Sequence, residues 1–196
     1  MVTSQDLRDR ASEFTELHFR DMSLMSDMSD PSIIHPFLVF DSADGPMIAT
    51  TECGDEFDII KFNFVLGDPG DGFTGECNTK NMTITIAPEF AADDSVLLHE
   101  MIHAFEYLME KLAGYSQLHD VMLLCLYNDL KSKIPDLDMR IIDHAHLENG
   151  VDITEHGGRH DILFLLKSFD LDLRLNLPLG SVCGYGRDRF SAQMDE

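Results

Sequence analysis

Two hydrophobic periods run along this chain, one of three to four residues and one of two. From Ser4 to Leu24 the apolar positions Leu7, Ala11, Phe14 and Leu17 fall at intervals of three or four, followed by Phe19, which predicts a helix. Ser23–Pro36 is rich in Ser, Asp and Met and reads as a loop. Phe37–Phe40 and Asp58–Leu66 read as strands, the second with Ile60, Phe62 and Phe64 in alternation. Gly67–Gly72 is a turn-rich break whose acidic residues lack the spacing and terminal Glu of an EF-hand loop. Met82–Ile86 alternates cleanly, with Met82, Ile84 and Ile86 on one face and two threonines on the other.

Helical periodicity then takes over. Asp93 or Asp94 is placed to cap a helix that Gly114 ends. A second helix, Gln117–Lys131, carries Val121, Leu123, Leu124 and Leu126 and stops before Pro135. The polar stretch Asp136–Gly158 is expected to be irregular, and Arg159–Phe169 to be helical through Ile162, Leu163, Leu165, Leu166 and Phe169. The tail, Asp172–Glu196, alternates briefly through Leu173, Leu175 and Leu177 before becoming Gly-rich and polar. The expected architecture is one α+β domain spanning 1–196, with a small mixed sheet packed on the helix that begins near Asp94.

That helix holds the chain's densest chemistry. In Val96-Leu97-Leu98-His99-Glu100-Met101-Ile102-His103-Ala104-Phe105, two imidazoles and a carboxylate interrupt an otherwise uncharged run. Residues four apart on a helix face the same way, with Cβ atoms about 5–6 Å apart, so His99 and His103 can direct ring nitrogens at one cation. Glu100 projects beside such an ion, where it can take a proton from water acidified to a pKa of about 7 and pass it to a leaving amine. A bare HExxH arises by chance in a chain with nine histidines, and the apolar flanks are what raise it. An amphipathic core helix without metal has little use for adjacent His and Glu inside such a run.

Catalytic zinc takes three protein ligands and keeps a fourth position open. Glu106, His119, His144, His146, His156 and His160 are the remaining candidates. Glu106 shares the face of His99 and His103 but lies nearly two turns from His99, which makes a common ion awkward from one straight helix. His119 precedes an apolar face and reads as structural. His144 and His146, separated by one residue, can both point at a metal if their segment is extended. His160 opens the last helix and is the favoured third ligand, because a rigid element would present it. His156, four residues earlier, can replace it or donate to an oxyanion, as can Tyr107 and Tyr185.

Composition narrows the partners. Hydrophobic residues make up 44% of 196 residues, enough for a globular core. The formal charge of −22 repels nucleic acid and anionic membranes and favours basic peptides, although acidity also serves solubility. No apolar run approaches the roughly 18–20 residues of a membrane span, and Met1–Arg10 does not read as a signal peptide, so an intracellular location is expected. Cys53, Cys77, Cys125 and Cys183 form no CxxC pair, which argues against a zinc ribbon or a disulfide-stapled scaffold.

His99-Glu100-Met101-Ile102-His103-Ala104 and the downstream His160-Asp161-Ile162-Leu163-Phe164 together resemble the motifs of the SprT-like (Spartan-type) zinc metallopeptidases. Thr74-Gly75-Glu76-Cys77 and Met82–Pro88 are similar to that family's Gly-containing segment and the strand leading into its active helix. The resemblance covers 73–113 and 160–169. It implies a zincin-like fold, Zn2+ held by His99, His103 and His160, and Glu100 activating water for peptide hydrolysis. The chain departs from the family pattern in a longer interval between His103 and His160, which implies an insertion over 115–155. It also departs in having no C-terminal zinc ribbon and in its acidity, so a DNA-directed role is not carried over.

The leading expectation is therefore a zinc metalloendopeptidase acting on a protein or peptide substrate. Its rivals are an acidic binding protein with a closed structural zinc site, and a metal-dependent hydrolase of a non-peptide bond.

Overall fold

Strand alternation in the first half of the chain and helical periodicity in the second produce a mixed α+β protein, seen here in a computed structural model. It describes residues 2–19, 37–41, 45–49, 60–70, 72–110, 115–147 and 160–184. The chain divides into two compact units, Met1–Leu112 and Ala113–Glu196. No helix among the described residues is long and apolar enough to cross a membrane.

The first unit is built on two small sheets. Strands β1 (Phe37–Asp41), β2 (Gly45–Ala49) and β3 (Ile60–Lys61) pair antiparallel in that order. Strands β4 (Asn63–Leu66), β5 (Gly75–Asn78) and β6 (Thr83–Ile86) form a mixed sheet of order β4-β6-β5, with β4 parallel and β5 antiparallel to β6. The continuous strand expected over Asp58–Leu66 is thus two strands in two sheets, with Phe62 at the break. Phe62 and Phe64 are both fully buried, so the alternation survives although the pairing partner changes.

The threonine-isoleucine alternation of β6 buries Ile84 and Ile86 completely. Met82 precedes the strand at a positive φ of 53°, and its carbonyl accepts from the Asn63 N–H of β4 at 2.8 Å. Between β4 and β5 the expected turn is present. Gly70 and Gly72 take φ of 88° and 78°, conformations that favour glycine, and the Gly70 N–H donates to Asp68 Oδ1 at 2.8 Å.

Two helices complete this unit. Helix α1 (Ser4–Phe14) buries Leu7, Ala11 and Phe14, then passes into a π-helical turn over Thr15–Phe19. The remainder of the expected first helix, together with the Ser23–Pro36 loop, lies outside the described residues. Ser4 Oγ accepts from the Leu66 N–H at 3.2 Å, satisfying a main-chain donor on the outer strand β4. Helix α2 (Asp94–Glu110) lies against β5 and β6. Asp93 Oδ1 accepts from the Ser95 N–H at 3.0 Å, as an N-cap should, and the Arg10 guanidinium ties α1 to Asp94 and to the Ala91 carbonyl.

The second unit is helical. Helices α3 (Tyr115–Lys133), α4 (Leu137–Leu147) and α5 (Ile162–Arg174) pack with both α3 and α4 against α5. Helix α4 corrects the irregular segment expected over Asp136–Gly158 as far as Leu147, and residues 148–158 lie outside the described residues. Asp138, Met139, Ile142 and Asp143 are exposed on the outer face of α4, while Leu137 and His144, seven positions apart, are buried on the inner one. Pro135 separates two helices rather than ending helical structure.

Helix α5 also runs further than expected. It absorbs Leu173, so the alternation seen in the tail is the end of a helix. Every residue from Leu163 to Asp172 is buried, and the polar ones are paired. Lys167 Nζ lies 3.2 Å from Asp170 Oδ2, and Arg174 Nε donates to Asp170 Oδ1 at 2.9 Å. The Ser168 hydroxyl donates to the Phe164 carbonyl at 2.8 Å.

Asp172 clasps the following loop, accepting from the Gly180 N–H at 2.7 Å and the Val182 N–H at 3.0 Å. Burial pushes its carboxyl up to about 6, and the backbone donors pull only partly against that. Because this pKa is raised on folding, the stability Asp172 contributes is complete below the ordinary carboxylate range and is lost as pH rises through about 6. Asp172→Ala should cost about 1.5–3 kcal/mol by stranding two buried donors. Asp172→Asn should keep an acceptor, and its urea midpoint should fall less than that of the parent between pH 4 and 7. Parallel pH profiles for the two proteins would exclude the clasp as the source.

Candidate metal centre

Helix α2 carries its three functional side chains on one turn because Asp93 fixes where the helix begins and the apolar residues fix which way it faces. Leu97, Leu98, Met101, Ile102, Ala104 and Phe105 are buried, and His99 and His103 remain half-buried. The two imidazole rings stand edge to face with centroids 5.0 Å apart, the arrangement that lets two ring nitrogens converge. His103 Nδ1 is 3.8 Å from Glu106 Oε2.

Glu100 is only 5% exposed and lies against strand β5. The Cys77 main-chain N–H donates to its carboxylate, but burial outweighs that bond and the nearby Glu76 charge adds to it, so the carboxyl is pushed up to about 8. Burial likewise drives the free Cys77 thiol upward, and the Glu100 charge reinforces the effect. Without a cation this pocket therefore favours protonated groups. A positive ion held by the adjacent histidines would reverse that preference and draw a proton off Glu100.

The sequence named Gly75 without giving it a role. A Cβ there would stand 2.9 Å from both Cγ and Oε1 of Glu100 and 3.1 Å from Cδ1 of Ile86. Gly75 is thus required by close approach, because the strand backbone is one wall of the carboxylate's pocket. The resemblance pointed to the Gly-containing segment, but only the packing explains the residue.

In the mixed sheet β6 is central, with both edges used by β4 and β5. Strand β5 ends the sheet among the described residues, and its Cys77 N–H is taken by the Glu100 carboxylate.

In the second unit, His160 sits in a turn one residue before Asp161, the N-cap of α5, whose side chain accepts from the Phe164 N–H at 2.9 Å. The His160 ring rests on Phe164 with centroids 4.6 Å apart. His144 is fully buried on α4, and its Nε2 donates to the His160 carbonyl at 2.8 Å. His144 and His146 belong to a helix rather than an extended segment. His119 is buried on α3 beside Asp161, in keeping with a structural role. Tyr107 stands edge-on to Phe62 at 6.3 Å, while His156 and Tyr185 lie outside the described residues.

Searches against protein-family models, curated proteins and solved structures find no match to this chain.

Gly75→Ala should destabilise the protein by about 1–3 kcal/mol, the usual cost of overpacking a filled site. Combined with Glu100→Ala it should cost measurably less than the sum of the two single changes, because the clashing partner is gone. A double-mutant cycle by urea denaturation measures this, and strict additivity would refute the contact.

Proposed function

We propose that this protein is a zinc-dependent metallopeptidase of SprT-like type with a zincin-like fold, in which His99, His103 and His160 hold the metal and Glu100 is the general base. One observation carries the reading. Two imidazoles on one turn of α2 flank a carboxylate that is buried, protonatable near neutral pH and pressed against the end strand of a sheet.

His99 and His103 come from the first unit and His160 from the second, and all three are imidazoles. Imidazole donors suit zinc, and three neutral ligands leave the ion its charge and an open position. A bound zinc ion supplies Lewis acidity, polarising a scissile carbonyl and making water acidic enough to lose a proton near pH 7.

The chain's own residues do the rest. Glu100, one residue from the first ligand and held by the Cys77 N–H, accepts the proton from water and returns it to the departing amine. Strand β5, last in its sheet among the described residues and beside Glu100, is where an extended peptide would lie, which favours a peptide bond over other hydrolysable bonds. Exposed Glu76 on that strand and the net charge of −22 favour basic side chains in the substrate.

Purified protein should carry about one zinc per chain. His99→Ala and His103→Ala should each abolish it, and His160→Ala should weaken it. Glu100→Gln should retain the metal while cleavage of a basic peptide library falls by about 10²-fold or more. Failure to bind zinc, or full activity in Glu100→Gln, overturns the proposal. Zinc that binds tightly without any hydrolytic activity would instead identify a structural site.

A further inference from the structure

The segment between the second and third proposed ligands contains two ordered helices, and each sends one buried histidine to the main chain or side chain next to His160. From α4, His144 Nε2 approaches the His160 carbonyl at 2.8 Å. A carbonyl oxygen only accepts, so this nitrogen carries the proton. From α3, His119 Nε2 lies 3.4 Å from Asp161 Oδ2, while the other oxygen of the same carboxylate caps α5 at the Phe164 N–H. His119, His144 and Asp161 are 2%, 0% and 3% exposed, so solvent does not compete for these contacts.

We infer that α3 and α4 form a brace that sets the pose of His160, with His144 and His119 as positioning residues. The inference rests on the reading of His160 as a metal ligand. Holding the His160 carbonyl fixes the peptide plane between residues 160 and 161, and with it the position of the His160 Cα. Holding Asp161 fixes the other end of the same plane to the start of a buried helix. The place from which the His160 side chain departs is then set by the second unit itself. Its ψ and the two side-chain torsions remain, and contact with the Phe164 ring, centroids 4.6 Å apart, restricts them.

The ordering entropy of this ligand is met when the unit folds and not when metal binds. Outer contacts of this kind change metal affinity by about 10–100-fold in other sites. They also give the long interval between His103 and His160 a physical use.

The test measures zinc affinity of the full chain by chelator competition, the visible spectrum of the cobalt(II)-substituted protein, and thermal unfolding of each metal-free variant. His144→Ala should weaken zinc binding by about tenfold or more and alter the cobalt spectrum, while His144→Gln, whose amide retains a donor near the same place, should recover most of the affinity. His119→Ala and His119→Gln should behave in the same order with a smaller effect, given the longer contact. Should His144→Ala not fold, His144→Met fills the space without a donor and takes its place in the comparison.

Wild-type affinity in the donorless variants, accompanied only by lower stability of the metal-free protein, overturns the brace and leaves the metal site standing. No zinc binding by the parent protein overturns both. A merely structural role for these histidines would lower the melting temperature in every variant without the recovery by glutamine or the spectral change.

Discussion

A carboxylate that is almost completely withdrawn from water imposes the tightest requirement on this protein. Glu100 has to be buried among apolar residues of α2, yet a lone carboxylate in such surroundings is costly unless it is hydrogen-bonded or protonated. The first unit meets the requirement with backbone. Strand β5 supplies the Cys77 N–H, and it can come close enough because Gly75 has no side chain. The order of strands follows from the same need, since β6 buries Ile84 and Ile86 in the centre while β5 carries the small residue that accepts the acid. The chemistry of the site and the register of the sheet are in this sense one constraint.

The second unit solves a related problem. Helix α5 is buried over Leu163–Asp172 although it contains Lys167, Ser168, Asp170 and Asp172. Each of these is matched with a nearby partner: an ion pair within the helix, a bond to the preceding turn, or main-chain donors of the loop that follows. At its start the helix is capped by Asp161, and the buried histidines of α3 and α4 meet the chain at residues 160 and 161. Buried polar groups that are fully paired fix a unique geometry, because any displacement leaves a donor or acceptor unsatisfied.

Local signals in the chain were most reliable where one residue type has one physical use. Threonine-isoleucine alternation identified β6, and spacing of four identified the shared face of His99 and His103. Asp93 and the apolar run after it identified the start of α2. Local reading failed where the decision belonged to partners remote in sequence. Asp58–Leu66 alternates as one strand, but two different neighbours capture its halves. Asp136–Gly158 looks irregular because its polar residues outnumber its apolar ones, and yet Leu137 and His144 find a buried surface that makes α4 stable. The tail alternation through Leu173 matches a strand and a helix end equally well, and packing chose the helix.

By itself, then, the sequence determined the α+β character and the candidate chemistry of α2, since both depend on spacings within a few residues. It also singled out His160, through the residues that follow it. Tertiary structure alone decided that β6 is central and β5 terminal, that Gly75 is a wall of the Glu100 pocket, and that His144 holds a carbonyl where it had been a candidate for holding an ion. These outcomes depend on distances between residues that are far apart in the chain. Such distances are set by burial and by the pairing of buried polar groups, and no periodicity records them.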